Sequence, residues 1–201
     1  MKSLGLRTAV IVWAFSSFLC FAEGESAPFV KVEETNDKYH VIGKFLVQAP
    51  TMTVWKVLSG YERFKVFMSI VKESKVLSRN GDDLMVAQQA QAEIFMVFKV
   101  TLAVVLKTHE TKYTGIEFED MSKQDFDLYT GFWNISEEKD SVSVVYDLTA
   151  KTKKYIPSII AMPLLRNGLG RCLTQVKEEI LRQVEPGWKP KLKASQTRIA
   201  P

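Results

Sequence analysis

The sequence predicts an α+β fold in which a curved antiparallel sheet packs against one long C-terminal helix. Six β-rich segments separated by polar turns occupy residues 70–149. After Pro157 the hydrophobic period changes from two residues to about 3.6, the period of an amphipathic helix. Before the β-rich run, residues 51–69 have the spacing of two short helices. A run of strands followed by one helix is typical of α+β folds, whereas parallel sheets alternate strands with helices.

The N-terminal part of the predicted domain contains one strand and two short helices. Residues 31–47 alternate between apolar and polar side chains and then become apolar, which is typical of a half-buried strand. Pro50 ends this strand, and residues 51–58 place apolar side chains three and four residues apart, which predicts a helix. Gly60 interrupts that helix, and residues 61–69 predict a second helical turn.

The six β-rich segments are expected to pair as antiparallel neighbours. A tight-turn signal at residues 79–82 joins the first two, and polar stretches at 121–123 and 137–140 separate later ones. Counted with the first strand, they predict a seven-stranded meander. The predicted strands are 31–47, 70–78, 84–94, 97–109, 115–119, 125–135 and 142–149.

The C-terminal helix is predicted from Pro163, because proline suits the first turn of a helix. A start there gives about 22 residues and roughly 33 Å, long enough to cross the sheet. Its apolar stripe consists of Leu165, Leu169, Cys172, Leu173, Val176, Ile180 and Val184, and its polar face of Lys177, Glu178, Glu179 and Arg182.

The chain divides into a signal peptide (1–22), a single folded domain (23–186) and a basic tail (187–201) that is expected to be disordered. Lys2 and Arg7 precede an apolar run at 8–21, and Ala22 offers a cleavage point. This run is shorter than the roughly 20 residues of a membrane-spanning helix. We therefore expect a periplasmic or secreted protein, with an uncleaved membrane anchor as the alternative.

Charge and cysteine content narrow the range of partners. Six of the 27 basic residues lie in the two terminal segments, which leaves 21 against 23 acidic residues in the domain. A nearly neutral domain without a basic stripe argues against a nucleic-acid partner. Cys172 is the one cysteine after the signal peptide, so the domain forms no internal disulfide, and we expect a monomer held together by its core.

Several local motifs resemble those of the polyketide cyclase/START-like superfamily. Ala49-Pro50 followed by 54–58 and Tyr61-Glu62 is similar to the start of that family's domain. Gly131-Phe132-Trp133 is similar to its G-x-W element, and 157–163 to the approach to its closing helix. The resemblance covers residues 29–184 and is nearest to the coenzyme Q-binding branch. It implies the helix-grip fold, in which a curved sheet wraps around the terminal helix and leaves a cavity for an apolar ligand.

Alternation along the strands and the small residues of the terminal helix suggest where such a cavity would lie. Gly168, Gly170 and Cys172 lie on the first half of this helix, where small side chains would fit a cavity, close helix–sheet packing or a kink in the helix. Methionines adapt to a ligand's shape, and tyrosine offers a polar hydroxyl. The predicted ligand-binding residues are Met96, Val100, Leu102, Val104, Phe118, Phe132, Val144, Tyr146, Ile160, Met162, Leu165 and Leu169.

Residues suited to catalysis are sparse. His40 and His109 lie on predicted strands among polar neighbours, which favours solvated side chains. Glu93 groups by alternation with the outer face, and the amides of 88–91 fit either a solvated face or a cavity wall that orients a carbonyl group. Neither a phosphate-binding loop nor a metal-ligand spacing nor a nucleophile elbow is present. We therefore assign no catalytic residue, metal or cofactor.

These observations predict an exported carrier or sensor for a small hydrophobic molecule such as a lipid, quinone or isoprenoid. An enzyme of the cyclase/dehydratase kind is the first alternative, because cavities in such relatives act largely by shaping a reactive chain. A ligand-free interaction module with a filled core is the second. The aromatic side chains of Tyr61, Phe64 and Phe67 are expected either to form core or to touch a membrane transiently during ligand exchange.

Overall fold

The computed structural model describes residues 27–94, 98–154 and 156–189, and within them all side chains except those of residues 92–94, 98 and 99. Its elements are β1 (Phe29–Thr35), β2 (Lys38–Val47), α1 (Thr51–Leu58), a 3₁₀ turn (Tyr61–Arg63), α2 (Phe64–Phe67), β3 (Val71–Asn80), β4 (Asp83–Ile94), β5 (Phe98–Thr111), β6 (Gly115–Asp120), β7 (Phe126–Glu137), β8 (Val142–Thr152) and α3 (Ser158–Arg182).

The strands form one antiparallel sheet in the order β1-β2-β8-β7-β6-β5-β4-β3. The segment with α1, the 3₁₀ turn and α2 carries the chain from β2 to β3 at the far edge, and the following meander returns β8 to the side of β2. α3 contacts β1 and β2 on one side and β4 on the other, so the sheet wraps around it. The predicted helix-grip fold is confirmed. Within the described residues, no helix combines the length and apolar character of a membrane span.

The strand count is eight rather than seven, because the predicted strand 31–47 is a hairpin. Asn36 and Asp37 form its two-residue turn with φ angles of 51° and 58°. Positive φ at both central residues is the requirement of a type I′ turn, which Asn and Asp tolerate better than most residues. The result is an extra edge strand, β1, which pairs with β2 from Phe29↔Lys44 to Thr35↔Lys38.

α3 begins at Ser158, five residues before the predicted start at Pro163. Pro157 occupies the N-cap position with a non-helical backbone (φ −54°, ψ 137°), so Pro163 lies inside the helix. Proline lacks an N–H group, and the helix therefore forgoes one hydrogen bond to the Ile159 carbonyl.

The inner face of the sheet follows the predicted alternation on β5 and β8. Val104 and Leu106 are buried, and Val142, Val144, Tyr146 and Leu148 are all at most 8% exposed. The second half of α3 approaches the sheet closely, because a Cβ atom at Gly43 of β2 would overlap the Leu173 side chain.

The alternation on β7 fails after a β-bulge. Phe126 pairs with Thr152, but Leu128 pairs with Lys151, which inserts one extra residue between them. Such an insertion moves every later side chain to the opposite face. Trp133 and Ile135 therefore face inward, whereas Phe132 is 40% exposed on the outer face. The prediction that Phe132 faces the helix is wrong.

The predicted polar face of α3 is partly wrong as well. Lys177 and Glu179 are buried, while Glu178 and Arg182 are exposed as expected. α1 and α2 pack against α3, and residues 63 and 69 of the segment between β2 and β3 contact Glu179 and Gln175, so this half of the helix is covered by more than the sheet. Glu179 meets Arg63 at 2.8 Å and Arg182 at 2.6 Å, which compensates its charge.

Candidate ligand-binding cavity

The inner face of the sheet and the first half of α3 line a cavity of about 300 Å³. Strands β2 to β8 all contribute side chains, as do the 3₁₀ turn and α2. Pockets of this size, mostly apolar with a few polar groups, are typical sites for small molecules. The geometry suits a ligand held between sheet and helix.

One wall of the cavity is a continuous group of aromatic side chains from β6, β7 and β8. Phe118 stacks on Tyr146 with ring centroids 5.9 Å apart, and Tyr146 lies 4.5 Å from Trp133. Tyr129 contacts Phe118 at 5.9 Å and Phe126 at 4.8 Å. Aromatic faces present a large apolar surface that holds its shape, which favours ligands with flat or ring-containing parts.

The helix wall is open because of Gly168. Leu165, Leu169 and Cys172 line the cavity beside it, and a Cβ atom at Gly168 would find no heavy atom within 4 Å. A Cβ atom at Gly170 would lie 4.0 Å from Val30, in a groove on the outside of the helix that opens to solvent. Close helix–sheet packing therefore explains neither glycine, and Gly168 directly enlarges the cavity.

The cavity wall carries several hydroxyl groups. Tyr129 and Tyr146 both line the cavity, and burial raises the pKa of both hydroxyls above the ordinary tyrosine value. The Tyr39 hydroxyl donates to the Ile156 carbonyl at 3.3 Å. Tyr61 and Thr108 line a further part of the wall. At neutral pH these groups offer a ligand neutral donors and acceptors.

The glutamine run of β4 lies at the cavity wall with its members on different faces. Gln88 follows the buried Leu84 and Val86 on the inner face, and its amide donates to the Ser74 hydroxyl at 3.2 Å. Gln89 is exposed and Gln91 is half-buried, and both border the cavity. The Glu93 side chain lies outside the described residues.

Half of the predicted ligand-binding residues line the cavity: Leu102, Val104, Phe118, Tyr146, Leu165 and Leu169. Val144 is fully buried in the core, and Val100, Ile160 and Met162 are half-buried without lining the cavity. Phe132 is on the outer face, and Met96 lies outside the described residues. Contact of any of these residues with a ligand stays a prediction.

Sequence reasoning missed Tyr129, Trp133, Tyr61 and Thr108. The first two follow the β7 bulge, so simple alternation assigns them to the wrong face. Neither Gly131 nor the residues of the bulge give a sequence pattern from which this change of face could be predicted. Thr108 does lie in phase with Leu102, Val104 and Leu106, so extending the β5 alternation by one step would have found it.

Both histidines lie outside the cavity and pair with acidic side chains. His40 contacts Asp147 at 3.0 Å, and His109 contacts Asp83 at 3.0 Å. The hydrogen bond that the His109 ring donates to the Asp83 carboxylate raises the pKa of His109 above the ordinary histidine value. Over residues 27–94, 98–154 and 156–189, no group of three His, Cys, Asp or Glu side chains is arranged to hold a metal ion.

Three solved structures show the same fold. TTHA0849 from Thermus thermophilus has a TM-score of 0.61 at 21% identity, covering 71% of this chain and 97% of that chain. The Zhui aromatase/cyclase from Streptomyces sp. R1128 has a TM-score of 0.63 at 13% identity, covering 74% and 97%. The STAR-related lipid transfer protein from Xanthomonas axonopodis (fragment 25–204) has a TM-score of 0.57 at 13% identity, covering 76% and 98%.

The sequence itself identifies the family. A comparison with curated proteins gave no significant match. Residues 47–177, however, match the family described as polyketide cyclase / dehydrase and lipid transport. That match spans well over half of the chain and confirms the resemblance drawn from the 49–62 and 131–133 motifs. The chain therefore belongs to the polyketide cyclase/dehydrase and lipid transport family and has its START-like fold.

Proposed function

We propose that this protein is an exported carrier or sensor that binds one small hydrophobic molecule in the cavity between sheet and α3. The observation that carries the proposal is the cavity of about 300 Å³ with its aromatic wall and the open position at Gly168. A filled core would have served stability better, because glycine inside a helix costs about 1 kcal/mol relative to alanine. The ligand class is a lipid, quinone or isoprenoid, and the protein acts as a monomer.

Binding would be driven by desolvation of the ligand. Each Å² of apolar surface removed from water contributes about 25 cal/mol, so a ligand burying about 250 Å² gains roughly 6 kcal/mol before the cost of association. Exchange requires a segment of the wall to move. The two candidates are 55–67 and 157–163 at the start of α3, and each carries an exposed apolar side chain, Val66 (73%) and Ile159 (84%). These side chains suit a transient contact with a membrane surface.

Export rests on residues 1–22, which precede the described part of the chain. The basic N-terminus, apolar run and small residue at position 22 support a cleaved signal peptide. In a periplasmic or secreted location, the protein would meet apolar molecules at a membrane surface or in transit between membranes.

The decisive experiment is native mass spectrometry of the mature protein purified from its own host, followed by organic extraction of what is released. We expect a stoichiometric apolar adduct and a mass that corresponds to a chain starting after residue 22. A bare protein that also takes up no lipid or quinone would contradict the carrier function. An unprocessed mass would contradict export by a cleaved signal.

A cyclase-type enzyme is the second candidate, favoured by Tyr129 and Tyr146, whose hydroxyls stay protonated at the cavity wall. Neutral hydroxyls of this kind suit hydrogen bonding to the carbonyl groups of a polyketide-like substrate. Incubation with a linear polyketone would distinguish the two candidates, because a carrier returns it unchanged and a cyclase returns a ring. The Tyr146→Phe variant would slow ring formation.

A further inference from the structure

Two almost fully buried hydroxyl groups lie side by side at the cavity wall. Tyr61 is 5% exposed and Thr108 is 1% exposed, and both line the cavity. The 3₁₀ turn holds the Tyr61 ring edge-on against Phe64, with ring centroids 5.9 Å apart. Thr108 of β5 is fixed within the sheet, where it pairs with Leu84 of β4 on one side and with Phe118 of β6 on the other. Neither group is free to turn away to solvent.

Neither hydroxyl is well paired, although Tyr61 lies close to both the Thr108 hydroxyl and the Glu110 carboxylate. Across the part of the chain that the structure describes, the Tyr61 Oη and Thr108 Oγ1 atoms have no partner of normal geometry. Most buried polar groups in folded proteins are paired, because an unpaired one forfeits its hydration without compensation. Two adjacent exceptions on the wall of a cavity are typical of a site whose partner comes from outside the chain.

The charged side chains beside the two hydroxyls determine which kind of ligand group is favoured there. Glu110 follows Thr108 on the same face of β5, is 7% exposed, and pairs with Arg79 at 3.0 and 3.4 Å. Burial raises the pKa of Tyr61 above its ordinary value, and close contact with the Thr108 hydroxyl lowers it. Glu110 raises the pKa of Tyr61, through its charge and through close contact with the phenol, by more than Arg79 lowers it. A further negative charge is therefore unfavourable beside the Tyr61 oxygen.

We propose that Tyr61 and Thr108 form a hydrogen-bonding subsite for one neutral oxygen, a hydroxyl or carbonyl, on an otherwise apolar ligand. This inference rests on the proposed function and narrows its ligand class. Tyrosine and threonine hydroxyls both donate and accept, so the subsite accepts either kind of oxygen. It selects alcohols, phenols, ketones and quinones over hydrocarbons of the same shape, and it disfavours carboxylates.

Three probes of one shape test the inference: naphthalene, 2-naphthol and 2-naphthoate, titrated into protein freed of ligand on a hydrophobic resin. We expect 2-naphthol to bind about tenfold more tightly than naphthalene, the effect of one or two neutral hydrogen bonds. 2-Naphthoate is expected to bind more weakly than either. If 2-naphthol binds no better than naphthalene, or 2-naphthoate binds as well as 2-naphthol, the subsite is refuted while the apolar cavity stands. If no probe binds, the proposed function fails and the subsite fails with it.

Isosteric variants locate the effect. Thr108→Val and Tyr61→Phe should each weaken 2-naphthol binding three- to tenfold and leave naphthalene binding unchanged. Thr101→Val, on the exposed face of the same strand, and Tyr113→Phe, on the surface, are the matched controls and should change neither affinity. Equal weakening of both probes by Thr108→Val would contradict the subsite.

Thermal stability separates this role from a structural one. Because neither hydroxyl forms a hydrogen bond of normal geometry in the free protein, removing either should leave the melting temperature of the ligand-free protein unchanged or higher. A melting temperature lowered by several degrees in both variants would mean that the hydroxyls serve the fold, and would overturn the inference.

Discussion

At the residue scale, single side chains determine both the volume and the polarity of the cavity. Gly168 removes a side chain where the helix faces the sheet, and Cys172, one turn further along, is small and 4% exposed. Tyr129 and Tyr146 keep their protons because burial raises their pKa values. The wall thus combines neutral hydroxyls with empty space, which suits a ligand that is apolar over most of its surface.

Cys172 gives a pH-dependent prediction. Burial raises the pKa of its thiol from 9.0 to about 11, so above pH 9 the unfolded chain loses this proton while the folded protein retains it. Stability from this group is therefore complete below pH 9 and is lost as the pH rises toward 11. We expect the unfolding free energy to fall by about 2 kcal/mol between pH 8 and 10.5 because of this thiol.

Urea unfolding of the wild type and of Cys172→Ala at both pH values measures the effect. The buried tyrosines ionise in the same direction in both proteins, so the difference between the two pH dependences isolates the thiol. Equal losses of stability in the two proteins would show that the Cys172 thiol is not shielded in the folded state.

At the element scale, the 3₁₀ turn is held to α3 by a buried carboxylate. Glu179 is 1% exposed and is approached by Arg63 from the turn and by Arg182 and Gln183 from its own helix. The turn carries Tyr61 into the cavity wall. The ion pair therefore joins the least regular wall segment to the best-packed half of the helix.

Replacement of Glu179 by Gln should destabilise the protein by about 1–3 kcal/mol, since hydrogen bonds to a charged group are lost in a buried site. The matched control is Glu178→Gln on the exposed face, which should cost under about 0.5 kcal/mol. Urea unfolding of both variants gives the comparison. Similar stabilities for the two would mean that the pairing with Arg63 and Arg182 contributes nothing to the fold.

The bounds of the strands show which parts of the fold could be predicted from local sequence pattern. Strands β3 to β6 and β8 are governed by alternation and clear turn residues, and their predicted bounds agree with the structure to within three residues. The β7 bulge and the Asn36-Asp37 turn depend on backbone conformations that alternation does not record. The buried face of Glu179 depends on α1 and α2 packing against α3, a tertiary contact outside the reach of helical period alone.

At the scale of the whole molecule, the packing of one helix on one sheet must both stabilise the domain and leave space for a ligand, and these two requirements compete. The second half of α3 packs tightly, with Leu173 against Gly43, and contributes the fully buried Leu173, Val176 and Ile180 to the core. The first half stands off from the sheet and leaves about 300 Å³ unfilled. The cavity itself was predicted from the family resemblance and from the small residues of α3. Its aromatic wall was predicted only in part, because that wall depends on the phase of β7.

Because the first half of α3 leaves the cavity unfilled, ligand binding there should raise the melting temperature of the whole domain. A ligand that binds only the folded state at 100 times its dissociation constant adds about 2.7 kcal/mol of stability. For a domain of this size the melting temperature should therefore fall by about 5–10 °C when bound ligand is removed. Gly168→Leu fills the cavity from the helix side and should bind no ligand. Its melting temperature should therefore be the same before and after passage over a hydrophobic resin.

Gly170→Leu is the matched control, because it adds the same side chain to the same helix but in the outer groove beside Val30. It should retain both ligand and the melting-temperature shift of the wild type. Differential scanning calorimetry of the three proteins, before and after passage over a hydrophobic resin, makes the comparison. If the wild type and Gly168→Leu each keep their melting temperature after passage over the resin, the space between sheet and helix holds no ligand in the purified protein. If instead Gly170→Leu loses the shift and Gly168→Leu keeps it, the ligand occupies the outer groove and not the cavity.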